Sequence, residues 1–569
     1  MKYKFLYFVL CFSLLCAAVP SRAIRCDGET TLDFDGSNGY RGDYVLIYNS
    51  NETGSSKRTG NLTDLIETDI DEKFILNSAN APVNDSFNLN MRLSEPLHTD
   101  IVLKKAEPKK SDPYTLGFTK QFEIYEYNLG IYVLMDMKVT AVGEHCYVWE
   151  AVDPERYPLS DIVPGAADTM VEEFESKYSL MQESFGDFYD PQGHGRLNLL
   201  FYDIHDGWTE DTPGGFIGGF FDAMDMQNSN KCATVHLDTY PTIYYEDENG
   251  NPSTRFNREY CGGILMHEFQ HCINYSNCGY TPSWINESMS AAAEEITYPG
   301  SSIVGRLLQW ENDEFDWIMR DDGKQVLATK REFRAESKTQ TGASLYKMLD
   351  GAETGYGYAQ VSMLAQYLYS QNDNSIFRRM TENMANGIKA MDAIPMSITG
   401  GTLYGKTMSE IGFCFRLACA TNDYLSYDGI TGFNSQDGFD SEKYYNLESP
   451  YSLLSPGVYT TGGTAWLASG GYVLIKPKGG IFYPPDNASP ELLYVGITIT
   501  APGSIKMGDV NLDSLRNSGD ASLMLLYLAK TVDLSYSQML YFDINSDGKL
   551  SSGDASHLLY CMSGEIPWS

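Results

Sequence analysis

Basic residues and long apolar runs are scarce in this sequence of 569 residues. Lysine and arginine number 41 against 76 aspartates and glutamates, which gives a formal net charge of −35. Such a charge repels nucleic acid phosphates and anionic lipid headgroups, so no nucleic acid partner is expected. No apolar run of about 20 residues follows the first 23, and no membrane-spanning helix is therefore predicted.

Cysteine is also used sparingly. The chain has eleven cysteines, and setting aside Cys11 and Cys16 in the leader leaves nine, an odd number at wide spacing. This pattern excludes a disulfide framework as the basis of the fold. Cys261, Cys272 and Cys278 lie near one another in the sequence, but no CxxC pair occurs, which disfavours a thiolate zinc site.

The first 23 residues are typical of a cleavable secretory signal. Lys2 and Lys4 precede an apolar run that ends in small residues. A lipid anchor on Cys16 is less favoured because two leucines stand directly before it, where small residues are needed. The protein is therefore predicted to be secreted and extracellular, at the cell surface or on a scaffold.

Changes in sequence pattern predict a multidomain protein. Residues 43–153 alternate β-type runs with turn residues and predict an N-terminal β-rich domain over 24–165, of an accessory or propeptide-like kind. Residues 166–425 mix strand and helix patterns and predict an α+β domain, in which GGFIGG is a turn-rich strand pair rather than a phosphate loop. Residues 426–504 return to a β-rich pattern, and residues 507–569 form a separate module.

The segment MHEFQH at residues 266–271 has the spacing of a zinc site. On a helix, His267 and His271 share one face, while Glu268 lies beside them. A third ligand is needed, and Glu287 stands sixteen residues after His271 at the start of a second predicted helix. Two imidazoles and one carboxylate bind a single zinc ion and leave one position open to water.

At these residues the chain resembles the gluzincin metallopeptidases, in which HExxH is followed by (I/L)NE on a neighbouring helix. Here Ile285-Asn286-Glu287 supplies that sequence. The runs LNLLFYDI, GGFIGGFFD and TVHLDTYP extend the resemblance to the hyicolysin-type secreted zinc peptidases over roughly residues 166–400. The resemblance implies a metallopeptidase fold for residues 166–425, one catalytic zinc, and hydrolysis of peptide bonds with Glu268 as general base.

The same resemblance implies a tyrosine or histidine that stabilises the oxyanion. Spacing favours Tyr358, with Tyr356 as the alternative, and among 40 tyrosines a structural role for either stays open. Where some relatives carry an aspartate that orients a zinc-bound imidazole, this chain has Ala291, and Glu294 is the substitute that we predict. Three other histidines are assigned to packing or to the surface: His194, His205 and His236.

The final module contains a repeat, because SGDAS at 518–522 recurs at 552–556. Oxygen-bearing residues precede each copy at positions 1, 3, 5, 9 and 12 of an EF-hand-like loop, which predicts two structural calcium ions. The ten ligands are Asp509, Asn511, Asp513, Asn517 and Asp520 in the first loop and Asp543, Asn545, Asp547, Ser551 and Asp554 in the second. Ser514 replaces the turn glycine of the first loop, so that site is expected to be weaker.

This pair of loops resembles a type I dockerin, a small all-α calcium-binding module, over about residues 507–566. The resemblance implies a cohesin domain of a scaffold protein as the partner, in a cellulosome-type complex devoted to polysaccharide catabolism. It also implies partner contacts at Ser518, Gly519, Ser552 and Gly553, whose identity in the two repeats would permit two binding orientations.

Together these features predict a secreted zinc-dependent endopeptidase that cuts protein or peptide substrates while attached to a cohesin-bearing scaffold. Two alternatives stay open at this point. One is a non-catalytic binding or structural subunit on a metallopeptidase fold, against which the intact Glu268 argues. The other is a metal hydrolase that acts on a substrate other than protein.

Overall fold

The computed structural model describes most of residues 24–66, 91–299, 315–329, 342–348, 354–421, 464–499, 507–531 and 541–567, together with Ile430, with short gaps inside several of these ranges. The predicted secretory signal, residues 1–23, lies outside the described residues. Within the described part of the chain, no helix combines the length and the apolar character needed to cross a membrane.

Strands and helices are numbered in chain order. The strands are β1 (Ile24–Cys26), β2 (Thr30–Asp33), β3 (Tyr40–Arg41), β4 (Tyr44–Asn49), β5 (Lys57–Asn61), β6 (Met91–Arg92), β7 (Thr119–Glu126), β8 (Ile131–Val142), β9 (Cys146–Ala151), β10 (Leu197–Tyr202), β11 (Phe216–Ile217), β12 (Gly219–Phe220), β13 (Thr234–Asp238), β14 (Tyr244–Glu246), β15 (Pro252–Thr254), β16 (Phe315–Met319), β17 (Gln325–Thr329), β18 (Thr464–Leu467), β19 (Tyr472–Ile475), β20 (Ile481–Phe482) and β21 (Leu492–Ile499). The helices are α1 (Leu159–Ile162), α2 (Ala166–Phe185), α3 (Arg258–Cys278), α4 (Ser283–Thr297), α5 (Thr354–Ser370), α6 (Ser375–Ala385), α7 (Ala390–Ser397), α8 (Met408–Thr421), α9 (Ser518–Leu528) and α10 (Ser552–Ser563).

A six-stranded mixed sheet in the order β12-β13-β10-β9-β8-β7 carries the candidate site. Strands β9, β10 and β13 run parallel, and β12 pairs antiparallel with β13 at one edge. Strand β10, with the sequence LNLLFY, is buried along its whole length. A nearly continuous apolar run is what a central strand covered on both faces requires.

The two faces of this sheet bury different cores because successive side chains of a strand point to opposite sides. Leu199 belongs to the core formed with the helices, where Phe174 of α2 and Phe269 of α3 meet with ring centroids 5.0 Å apart. The next residue, Leu200, belongs to a second core on the other face, together with Trp149. Helix α3 is thereby held against the sheet by its apolar side.

Local sequence signals set the ends of the two helices that carry the site. The Asn257 side chain caps α3 by accepting from the Tyr260 amide, and Gly279 ends α3 at φ 66°, a conformation that favours glycine. Pro282 directly precedes α4. The short connection turns the chain back, and Asn274 Nδ2 donates to Asn286 Oδ1 at 2.6 Å between the two helices.

A second sheet pairs strands from residues 24–49 with strands from residues 472–499. Its strand order is β1-β2-β21-β4-β19. Strand β4 lies between β21 and β19, and its residues from Val45 to Tyr48 are fully buried. Residues 24–165 are thus divided between two sheets, because β7, β8 and β9 supply three of the six strands of the other sheet. This differs from the single N-terminal domain predicted for 24–165 and from the separate β region at 426–504.

The physical reason for the difference is that an alternating pattern identifies a strand without identifying its partner. Pairing between β4 and β21 joins residues that are more than 400 positions apart in the sequence. The described part of the last module is helical, as predicted, with α9 and α10 packed around a small core that contains Met524, Phe542 and Leu558.

Candidate metal centre and dockerin loops

Helices α3 and α4 bring His267, His271 and Glu287 together. One ligand atom from each side chain lies within 4.8 Å of the other two. Glu287 Oε2 is 3.2 Å from His267 Nε2, and Glu287 Oε1 is 3.4 Å from His271 Nε2. The three side chains are completely or almost completely buried. Three of the residues predicted from the sequence therefore converge on one point.

These separations fit a zinc ion. Ligands about 2.0–2.1 Å from a tetrahedral ion lie roughly 3.3–3.4 Å from one another, and each imidazole has one oxygen of Glu287 near that distance, Oε2 for His267 and Oε1 for His271. The donor set, two imidazole nitrogens and one carboxylate, is one that zinc prefers. Glu268, Glu287 and Glu294 also concentrate negative charge in a buried position, which a divalent cation would neutralise.

Each imidazole is oriented by a second contact on its other side. Glu294 Oε1 lies 2.6 Å from His267 Nδ1, which is the orienting role predicted for it. Ser290 Oγ lies 3.0 Å from His271 Nδ1 and also donates to Gln270 Oε1 at 2.6 Å. Ser290 was not predicted from the sequence, although it lies one helical turn after Asn286 on the same helix. Such contacts fix the ring that presents Nε2 to a metal.

The electrostatics of the centre are strongly coupled. Burial disfavours the charged form of His267, but the carboxylates of Glu287 and Glu294 outweigh it and raise the pKa of His267 to about 10. For His271, burial and the charge on His267 act in the same direction and lower the pKa well below its usual value. The lowered pKa favours neutral His271, the form that a metal ligand needs, and a zinc ion at this position would have to displace the proton that the carboxylates favour on His267.

The carboxyl group of Glu268 lies in the same buried position. Burial raises the pKa of Glu268 to about 8, with repulsion from Glu287 and Glu294 adding to the rise, while the charge on His267 and the backbone amide of Phe221 oppose it. Neither of its carboxylate oxygens makes a hydrogen bond of normal geometry to the residues that the structure describes. A buried carboxyl with this pKa can both accept and release a proton near neutral pH.

Edge strand β12 passes close to this carboxyl group. A Cβ added at Gly219 would lie 2.9 Å from Ile264 Cγ2, 2.9 Å from the His236 carbonyl oxygen and 3.3 Å from Glu268 Cγ. Gly219 is therefore required by the close approach of the strand to α3. The GGFIGG run was predicted to be a turn-rich strand pair, but the two strands found there pair with different partners, β11 with β6 and β12 with β13. The role of Gly219 depends on this packing and could not be predicted.

His236 proves to be structural, as predicted. Its Nε2 lies 2.7 Å from Asp225 Oδ2, its Nδ1 lies 3.0 Å from the Tyr202 hydroxyl, and its ring stacks on Phe220 at a centroid distance of 4.2 Å. Of the other two histidines, His194 contacts the Tyr147 hydroxyl and His205 contacts Glu126, away from the predicted zinc ligands.

Tyr358 lies on α5 and is buried, with 3% of its surface exposed. Helix α5 packs against α4, where Ser288 Oγ donates to the Val361 carbonyl at 3.0 Å. The side chain of Tyr356, the alternative, lies outside the described residues. The predicted oxyanion role of Tyr358 stays a prediction.

In the last module, two acids at loop position 12 are completely buried at the starts of α9 and α10. Asp520 accepts from the amides of Val510 and Asn517, both at 2.8 Å, and Asp554 accepts from the Ser551 amide at 2.9 Å. Asn517 and Ser551 in turn cap the helices by accepting from the amides of Gly519 and Gly553.

The other residues predicted to function in this module lie partly inside and partly outside the described residues. Asp509 is fully buried and Asn545 lies in the second loop. The exposed starts of the two helices carry the four residues predicted to contact a partner, namely Ser518, Gly519, Ser552 and Gly553. Four predicted calcium ligands lie outside the described residues: Asn511, Asp513, Asp543 and Asp547.

Comparison with known proteins finds one match for the last module and another for the larger part of the chain. Residues 507–559 match the dockerin type I domain. The chain is also 26% identical over 307 residues to the neutral metalloprotease ShpI of Staphylococcus hyicus, a match that covers 52% of this chain and 61% of that protein. The chain thus spans less than two-thirds of the length of this relative. It combines a region similar to a neutral metalloprotease with a dockerin type I domain.

Proposed function

We propose that the protein is a secreted zinc-dependent endopeptidase whose dockerin binds a cohesin domain of a scaffold protein. The observation that carries the proposal is the convergence of His267, His271 and Glu287 within 4.8 Å, beside a buried Glu268. The likeness to a neutral metalloprotease supports the same reaction class.

In this proposal His267, His271 and Glu287 hold one zinc ion. When bound, zinc polarises the carbonyl of the substrate and makes water acidic enough to supply a nucleophile at neutral pH. Glu294 and Ser290 keep the two imidazole rings in position through their contacts with Nδ1. Because the whole group is buried, bulk water is kept from the charges, and their effect on a reacting group is large.

Glu268 is the proposed general base. A carboxylate oxygen accepts the proton of the attacking water and then delivers it to the leaving amine nitrogen. Its pKa, raised by burial to about 8, favours return of the proton to the amine. Tyr358 is the proposed donor to the oxyanion, and a Tyr358→Phe variant is expected to lose mainly kcat rather than to raise KM.

Strand β12 is the proposed binding edge for an extended peptide. It forms the outer edge of the six-stranded sheet and approaches Glu268 at Gly219. A strand edge, once uncovered, binds a peptide as an added strand through backbone hydrogen bonds. This mode tolerates many side chains, which suits an endopeptidase.

The last module supports attachment to a scaffold. Residues 507–559 match a dockerin, and the duplicated loops are proposed to bind two calcium ions through their acidic and amide side chains. The exposed residues at the two helix starts, Ser518-Gly519 and Ser552-Gly553, are proposed to contact the cohesin. The enzyme would then act outside the cell, within a multi-enzyme complex.

The test compares zinc content and casein cleavage of the wild-type protein and a Glu268→Gln variant. We expect about one bound zinc in both proteins and cleavage only by the wild type, because glutamine keeps the shape but cannot accept the proton. Zinc binding without cleavage of any protein substrate would favour a non-catalytic subunit. Absence of bound zinc would refute the metallopeptidase proposal.

A further inference from the structure

A segment upstream of the main sheet, residues 96–105, lies along the edge that the substrate is proposed to use. We call this segment the strap. The Leu97 amide donates to the Phe221 carbonyl at 2.8 Å, and the Ala223 amide donates to the Leu97 carbonyl at 3.1 Å. Shortly before the strap, β6 pairs in parallel with β11. Leu97 forms a parallel bridge with Asp222, which follows β12, in the same direction as the pairing of β6 with β11, which precedes β12.

The strap uses the outer side of this edge. Phe220 pairs with His236 on the inner side, in strand β13. Because backbone groups alternate in direction along a strand, those of Gly219 and Phe221 are directed outward. The backbone amide of Phe221 is also one of the groups that act on the Glu268 carboxylate. The carbonyl of Phe221 thus accepts from Leu97 of the strap, while the amide of the same residue lies beside Glu268, the proposed base.

Side chains fasten the strap at this point. His98 Nδ1 lies 3.0 Å from Asp222 Oδ1, and the Tyr132 hydroxyl donates to Asp222 Oδ2 at 2.6 Å. His98 adopts φ 52°, a left-handed conformation that is uncommon for a residue other than glycine. Further along, the Tyr275 hydroxyl of α3 donates to the Ile101 carbonyl at 2.6 Å. The strap is therefore fixed both to the edge and to the helix that carries HExxH.

The end of the strap is exposed. Val102 has 76% of its surface exposed, and Lys104 and Lys105 are exposed as well. Leu97 and Leu103 are only partly buried where they pack on the two cores, and Lys105 Nζ lies 5.8 Å from the centroid of the Tyr189 ring. No residue of the strap is fully buried, so the segment can leave the edge while the strands of the sheet stay in place.

We propose that the strap is an autoinhibitory segment, which occupies the outer edge near Phe221 in place of substrate and must leave before an extended peptide can pair along that edge. The inference rests on the proposed peptidase function and concerns the regulation of the same site. In this arrangement the enzyme discriminates against peptides too short to replace the backbone contacts of the strap. Loosening the His98 contact should raise the fraction of molecules with an open edge.

The test measures hydrolysis by the full-length, zinc-loaded protein of a quenched ten-residue peptide and of a blocked dipeptide. The variants are His98→Ala and Tyr132→Phe, each of which weakens the attachment at Asp222. His145→Ala is the matched control, because His145 Nδ1 lies 2.7 Å from Glu175 Oε2 and the His145 side chain is 31% exposed, against 34% for His98. We expect KM for the long peptide to fall about five- to tenfold in both strap variants, with no change for the dipeptide or in the control.

Equal KM values for the long peptide in His98→Ala and His145→Ala would overturn the inference. A readout without turnover separates it from the peptidase proposal: hydrogen exchange of the Glu268→Gln variant with and without the ten-residue peptide. Faster exchange of the Leu97 and Ala223 amides on peptide binding supports the strap even if no substrate is cut. Unchanged protection with the peptide bound refutes the strap, and absence of both binding and cleavage refutes both proposals.

Discussion

The contact between Glu294 and His267 leads to a quantitative prediction for Glu294→Gln. The carboxylate lies 2.6 Å from His267 Nδ1, and it is one of the three glutamates that raise the pKa of that imidazole to about 10. Glutamine keeps the length of the side chain but removes the charge. Loss of such an orienting carboxylate weakens metal binding by about 10- to 100-fold, which corresponds to roughly 1.4–2.8 kcal/mol.

The assay is competition for zinc between the protein and a chromogenic chelator at neutral pH. Glu259→Gln is the matched control, because Glu259 lies exposed in the first turn of α3 and outside the centre. Thermal unfolding of both variants without zinc separates loss of binding from loss of fold. A zinc dissociation constant for Glu294→Gln within twofold of wild type would refute the reasoning about this residue.

Three further predictions concern other parts of the chain. Gly219→Ala should destabilise the protein by about 1–3 kcal/mol in chemical unfolding and lower kcat, because its Cβ would press on Ile264 and on the carbonyl of His236. Deletion of residues 24–61 should abolish soluble expression, because β4 is a central strand of its sheet; a soluble, active product would contradict this. Asn517→Ala should cost the calcium-free last module about 1 kcal/mol in thermal unfolding, since it removes a helix cap.

The centre could be predicted from the sequence because its information is local. Spacing on one helix placed His267 and His271 together, and the INE sequence supplied Glu287. Glu294 was reached in the same way, by counting helical turns from the ligand. Gly219 and Ser290 could not be predicted from spacing. Their roles arise only because strand β12 and helix α4 pack on α3.

The pairing of the strands could not be predicted, for a related physical reason. The runs at residues 44–49 and 472–499 were predicted to be strands, yet their pairing with one another depends on contacts across the whole chain. Alternation in the sequence states which face of a strand is buried and says nothing about which strand lies beside it. The strap escaped notice for the same reason, since its role depends on where Leu97 lies and not on its own pattern.

The edge strand is held differently on its two sides, and this difference bears on how the site could work. On the inner side, Phe220 stacks on His236, which is paired with the buried Asp225, and burial raises the pKa of Asp225 in spite of that pair. On the outer side, the strap is held by two backbone hydrogen bonds, the partly exposed His98, the Tyr275–Ile101 hydrogen bond and two partly buried leucines. Because the inner contacts are buried and the outer ones border solvent, opening should release the strap and leave the edge strand in place. An edge that stays fixed while its cover leaves can receive a peptide without losing its position relative to Glu268.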